Sequence, residues 1–176
     1  LRQIIYCNQH IDASLTCQIT QINRYKQSVG SDILGYCVPF TYLFQAQALL
    51  AGTNIYWGAQ NASQFEYGAH TSSISANMIA EFGSKFVITG HSERRTLSNE
   101  SNQKAARRIA RVVEAGLTPI YCVGETLEEH TTGLSENVVK NQILAITHGL
   151  DDDVFERAKK VDLVIAYEPV WAIGNG

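Results

Sequence analysis

The chain of 176 residues is long enough for one well-buried core and too short for two, at about 100 to 200 residues per domain. With 45% hydrophobic and 18% charged residues it has the makeup of a globular protein and not of a disordered one. Seventeen acids against fourteen bases give a net charge of −3, so no broad positive field exists to hold nucleic acid, and any bound anion must be held locally.

Along the chain, the opening run to Cys7 reads as a first strand, too short for the apolar part of a signal peptide. A repeated punctuation then organises the sequence: a helical segment ends at a glycine and a β-rich run begins about two residues later. Gly30 precedes a run from Asp32 to Val38, Gly52 one from Asn54 to Gly58, Gly83 one from Lys85 to Thr89, and Gly116 one from Thr118 to Val123. A last strand is expected over Asp162 to Tyr167. Its run of Leu163 to Ala166 hardly alternates, which predicts cover on both faces.

Between strands, Ser101 to Ala115 carries Ala105, Ile109, Val112 and Val113 on one helical stripe. Arg107, Arg108 and Arg111 fall mostly off it and read as a solvated face, with a nucleic-acid patch as the sharper alternative. A second helix is expected from about Ser135 to Thr147, with Val138, Val139, Ile143 and Ile146 apolar, followed by an acidic loop at Asp151, Asp152 and Asp153. Cysteines at 7, 17, 37 and 122 show no metal-ligand or disulfide spacing, and no run of about 18 apolar residues suggests a membrane span; the expectation is a reduced, cytoplasmic protein.

Six strands alternating with five helices predict an α/β protein of parallel β-α-β units, either an open doubly wound sheet or most of a closed barrel. No G-x-G-x-x-G follows the first strand, which argues against a dinucleotide fold. In a barrel, chemistry sits in the loops after the strands. Two such loops carry titratable groups: Gly90-His91-Ser92-Glu93-Arg94-Arg95 after one strand, and Glu168-Pro169-Val170-Trp171 after another. Together, His91 and Glu168 could serve one small substrate as hydrogen-bond donor and base.

Ile88 to Arg95 and Ala166 to Gly174 closely resemble the two signature segments of the triosephosphate isomerase family. Gly58-Ala59-Gln60-Asn61, Gly68-Ala69-His70-Thr71 and Leu117 to Thr126 resemble further segments of that family in the same order. The resemblance implies a TIM-barrel (β/α)8 enzyme that interconverts dihydroxyacetone phosphate and glyceraldehyde 3-phosphate through an enediolate, with no cofactor or metal. It implies Glu168 as the base, His91 as donor to the carbonyl oxygen and Glu93 as the acid beside it, with Asn8, His10 and Gly174 toward the substrate. Trp171 would stand in the lid hinge or simply pack.

Several departures shape the expectations. Asn8-Gln9-His10 aligns with the family's Asn-Trp-Lys, so His10, shorter and mostly neutral near pH 7, stands where a lysine meets the substrate's charge. Ser72 and Ser73 replace a Gly-Glu pair in a loop that in the family reaches a neighbouring subunit, so residues 64–75 are expected to form a homodimer or other homo-oligomer surface, with His70 an unassigned surface histidine. The sequence ends within the lid segment, which predicts residues 1–176 as one incomplete barrel domain of six β/α units with the last two strands absent, and little turnover from these residues alone. The alternative function is a non-catalytic member of the family acting as a structural or association module.

Overall fold

A computed structural model describes residues 3–7 and 33–173 of the chain. Asn8, His10, Gly30 and Gly174 lie outside the described residues. The strands are β1 (Gln3–Cys7), β2 (Ile33–Val38), β3 (Ile55–Ala59), β4 (Phe86–Thr89), β5 (Thr118–Val123) and β6 (Val164–Tyr167). They form one six-stranded sheet in the order β1-β2-β3-β4-β5-β6, every neighbouring pair parallel. A doubly wound sheet reverses its strand order at a switch point. Here the order never reverses, which is how the wall of a β/α barrel is laid down.

Among the described residues the helices are α1 (Leu43–Leu50), α2 (Ala76–Glu81), α3 (Ser92–Ser98), α4 (Asn102–Glu114), α5 (Leu127–Thr131), α6 (Ser135–Gly149) and α7 (Asp152–Lys160). Three of the punctuating glycines, Gly52, Gly83 and Gly116, have φ of 79°, 66° and 74°, the left-handed conformation that ends a helix cheaply only without a Cβ. Helix starts follow side-chain chemistry. Ser75 and Ser101 accept from the main-chain N–H three residues on, and Thr126 forms a reciprocal capping box with Glu129.

The strands' alternation divides the core into an inner and an outer part. Cys37, Phe86, Ile88, Ile120 and Cys122 meet on the inner face, backed by Val164 and Ala166. On the outer face, Leu34, Tyr36, Val38, Ile55 and Val87 pack against Leu43, Leu50, Ile79 and Val112 of the helices. A second outer cluster joins Tyr121 and Val123 to Ala105, Ile109, Val113, Ile146, Val154 and Ala158. All four stripe positions of α4 are buried, each large aliphatic side chain contributing about 1.5 to 3 kcal/mol by leaving water.

Several expectations are corrected. The acidic run is not a loop: Asp151 precedes α7, and Asp152 and Asp153 lie in its first turn, opposite Arg157, Lys159 and Lys160 in the last. Each charge faces the helix-dipole end that it stabilises, so a run that looks like solvated loop is a helix start. Ile165 and Tyr167, on the outer side of β6, are 41% and 58% exposed within these residues. In α6 the buried positions are Gln142 and Ile146, while Ile143 is exposed. The arginines of α4 are more than a solvated face: Arg108 is half-buried, paired with the buried Glu100 at 3.1 Å and bonded to the Ala62 carbonyl.

Candidate active site

Strands β4 and β6 both end on the same side of a parallel sheet, separated only by β5, so the residues that follow them converge. After β4, Gly90 takes φ +67°, and a Cβ there would lie 2.6 Å from the Tyr121 ring, so only glycine can make this turn from strand to helix. His91 follows as the N-cap of α3, with its Nδ1 accepting from the Glu93 main-chain N–H at 3.3 Å. A nitrogen that accepts a hydrogen bond carries no proton, so the neutral ring has its hydrogen on Nε2. The Glu93 carboxylate stands 3.9 Å from the same Nδ1 and is 58% exposed, leaving the main-chain N–H as the group that orients the ring.

His91 Nε2 lies 3.5 Å from Glu168 Oε2, the first residue after β6. This carboxylate oxygen is buried and has no hydrogen-bond partner among the described residues. Leaving such a group unpaired costs about 1 to 3 kcal/mol, and it leaves a lone pair open to a substrate. His91 itself is buried. Beside it a cavity of about 260 Å³ is lined by Pro39, Phe40, Gln60, Asn61, Ile88 and Glu93, among others.

The segment after Glu168 is tied to Glu125, which the sequence placed in a motif without a role. Fully buried, Glu125 receives Trp171 Nε1 at 3.1 Å and the Tyr167 hydroxyl at 3.1 and 3.2 Å from its two oxygens. His130 stacks on Trp171 at 4.5 Å. The Trp171 ring is thus both packed and hydrogen-bonded. Burial works against the Glu125 charge, but hydrogen bonds from Trp171, its own backbone, Tyr167 and Ser135 outweigh it and hold the carboxyl below its ordinary value. A lowered native value adds stability that is fully present above the unfolded carboxyl range and disappears as pH falls through the native value. The melting-temperature gap between the wild type and Glu125→Gln should therefore be widest near neutral pH and close in acid. A gap constant down to about pH 3, below the ordinary carboxyl values, would contradict the ionised carboxylate.

In the 64–75 loop, Ser72 has φ 70°, the conformation a glycine adopts freely and another residue only at a cost of about 1 to 2 kcal/mol. Phe65 stacks on His70 with centroids 3.8 Å apart, and Tyr67 is 83% exposed. His70 is thus a surface residue with a ring partner. Cys37 and Cys122 are buried, the described residues hold no cluster of metal-ligating side chains, and no described helix is long and apolar enough to cross a membrane.

Comparison with known proteins accounts for this arrangement. The family model described as triosephosphate isomerase matches residues 5–176. A triosephosphate isomerase of Azoarcus sp. is 50% identical over 174 residues, covering 99% of this chain and 69% of the relative. One of Cupriavidus taiwanensis is 46% identical over 177 residues, covering 99% and 70%. The crystal structure of triosephosphate isomerase from Bartonella henselae superposes with a TM-score of 0.82 at 34% identity, covering 96% of this chain and 68% of that one. The one-way strand order is therefore that of a TIM barrel, and the pair His91 and Glu168 falls at the strand ends where such barrels hold their chemistry. By the family match over nearly its whole length, the chain belongs to the triosephosphate isomerase family, a family of isomerases.

Proposed function

We propose that Glu168 is the proton-transferring base of this isomerase and His91 its electrophile. Glu168 takes a proton from the carbon beside the carbonyl of the triose phosphate. The C–H pair becomes the new C=C bond while the carbonyl pair moves to oxygen, giving an enediolate, and Glu168 returns the proton to the neighbouring carbon. His91 gives its Nε2 proton to the oxygen that gains charge and takes in return the hydroxyl proton of the neighbouring oxygen, so that carbonyl and hydroxyl exchange places and the imidazole ends as it began. Glu93 supports this set through its N–H on His91 and its place on the cavity wall. The observation that carries the reading is the 3.5 Å approach of an unpartnered carboxylate oxygen to an imidazole nitrogen whose ring partner is already committed.

Purified protein in which the barrel is complete should interconvert dihydroxyacetone phosphate and glyceraldehyde 3-phosphate. Glu168→Gln, which keeps the shape and removes the base, should abolish both directions. Turnover retained by that variant would move the base elsewhere.

Asn8, His10 and Gly174 belong to the proposed substrate-binding set by their places in the motifs. A cation beside a phosphate or an enediolate makes charge-assisted hydrogen bonds of about 1.5 to 3 kcal/mol. His10→Lys is accordingly expected to raise kcat/KM by roughly tenfold to a hundredfold at 1.4 kcal/mol per decade. No gain would mean that another residue supplies the charge.

We further propose a homodimer, in the cytoplasm, through residues 64–75. The support is an exposed loop whose Phe65 and Tyr67 stand out as apolar anchors beside a cavity of about 260 Å³. A Tyr67→Ala, Thr71→Ala double variant should sediment as monomer at concentrations where the wild type is dimeric. An unchanged dimer would place the interface elsewhere.

A further inference from the structure

Helix α6 carries a polar side chain where its packing calls for an apolar one. Gln142 is 6% exposed, and both ends of its side-chain amide bond to one residue: Gly124 N–H donates to Oε1 at 2.8 Å, and Nε2 donates to the Gly124 carbonyl at 2.9 Å. A buried amide with both ends matched fixes the position and the tilt of the peptide that it grips. A purely packing role is served by leucine or isoleucine at lower desolvation cost.

What Gly124 touches gives the grip its meaning. A Cβ on Gly124 would lie 2.0 Å from the Glu168 carbonyl oxygen and 3.2 Å from Pro169 N, so the two backbones are in direct contact. On either side, Glu168 N–H donates to the Val123 carbonyl at 2.8 Å and Val170 N–H to the Glu125 carbonyl at 2.9 Å. The main chain bearing Glu168 is therefore laid against the 123–125 turn. That turn is held from behind by Gln142. The same residue's main-chain carbonyl accepts the Tyr121 hydroxyl at 2.9 Å, that hydroxyl receives Arg95, and Arg95 Nε donates to the Gly90 carbonyl at 2.7 Å, just before His91.

We propose that Gln142 is a positioning residue for the isomerisation, setting the place of the Glu168 carboxylate through Gly124. The inference rests on the reading of Glu168 as the base. Rate depends steeply on such placement, since an error of about 1 Å can cost on the order of a hundredfold.

The test uses Gln142→Met, which keeps length and volume and loses both hydrogen bonds, and measures kcat and KM with glyceraldehyde 3-phosphate well below the melting temperature. The expected result is a fall in kcat of about tenfold or more with KM within about twofold, because binding does not depend on the base's placement. Combined with Glu168→Asp, the two losses should be less than multiplicative, since both act by displacing one carboxylate. A kcat within twofold of wild type, whatever the change in melting temperature, would overturn the proposal. So would fully multiplicative losses. If Gln142→Met does not fold, Gln142→Glu, which keeps the acceptor for Gly124 N–H and at neutral pH lacks the donor to its carbonyl, must show the same fall in kcat, and wild-type kcat there would overturn it. Failure of the underlying reading is separately visible: it shows as an unaffected kcat in Glu168→Asp alone.

Discussion

Glu168→Asp should lower kcat by about a hundredfold or more while leaving KM nearly unchanged. The substitution keeps the charge and withdraws the carboxylate by one methylene, a displacement of order 1 Å, for which losses of about a hundredfold are typical in well-oriented sites. The Glu168 main chain cannot slide to compensate, because it is bonded to Val123 and lies against Gly124. Steady-state kinetics with either triose phosphate decides the matter. A kcat within a few-fold of wild type would show that the reacting proton is not taken by this residue.

His91→Ala is expected to be comparably severe, with kcat down by about a hundredfold to a thousandfold, the range for removing one preorganised donor to a developing oxyanion. His91 also caps α3, so the variant loses a helix cap worth about 1 kcal/mol as well. That is small beside the 5 to 15 kcal/mol typical of a domain, so the protein should remain folded and the activity loss should be chemical. Circular dichroism alongside the assay separates the two effects. A folded His91→Ala protein with near-normal kcat would exclude the imidazole as electrophile.

What the sequence made legible follows from how local each signal is. Apolar runs that follow a glycine predict β2 to β5 to within a residue or two, and before β3, β4 and β5 that glycine takes a positive φ, because helix termination and strand onset are both short-range. His91 and Glu168 stand out because each is a titratable residue at the end of an apolar run. The acidic run before Val154 misleads because acids mark helix starts as readily as loops, and only the basic last turn tells them apart. Gln142 was illegible for a different reason. It sits one position from Ile143 in a helix read by hydrophobic period, and the partner that makes a buried glutamine favourable, Gly124, is on another element. Glu125 is similar, since its bonds to Tyr167 and Trp171 cross from β5 to the segment after β6.

The central claim, that one carboxylate carries the proton between two carbons, is tested most directly by exchange with solvent. Incubation of the wild-type protein with dihydroxyacetone phosphate in deuterated water should place deuterium on carbon in the recovered triose phosphates, since a protonated Glu168 in contact with solvent exchanges before it returns its proton. Glu168→Gln, folded but without a base at this position, should incorporate none above the uncatalysed rate. Carbon-bound deuterium appearing in that variant at the wild-type rate would contradict the account.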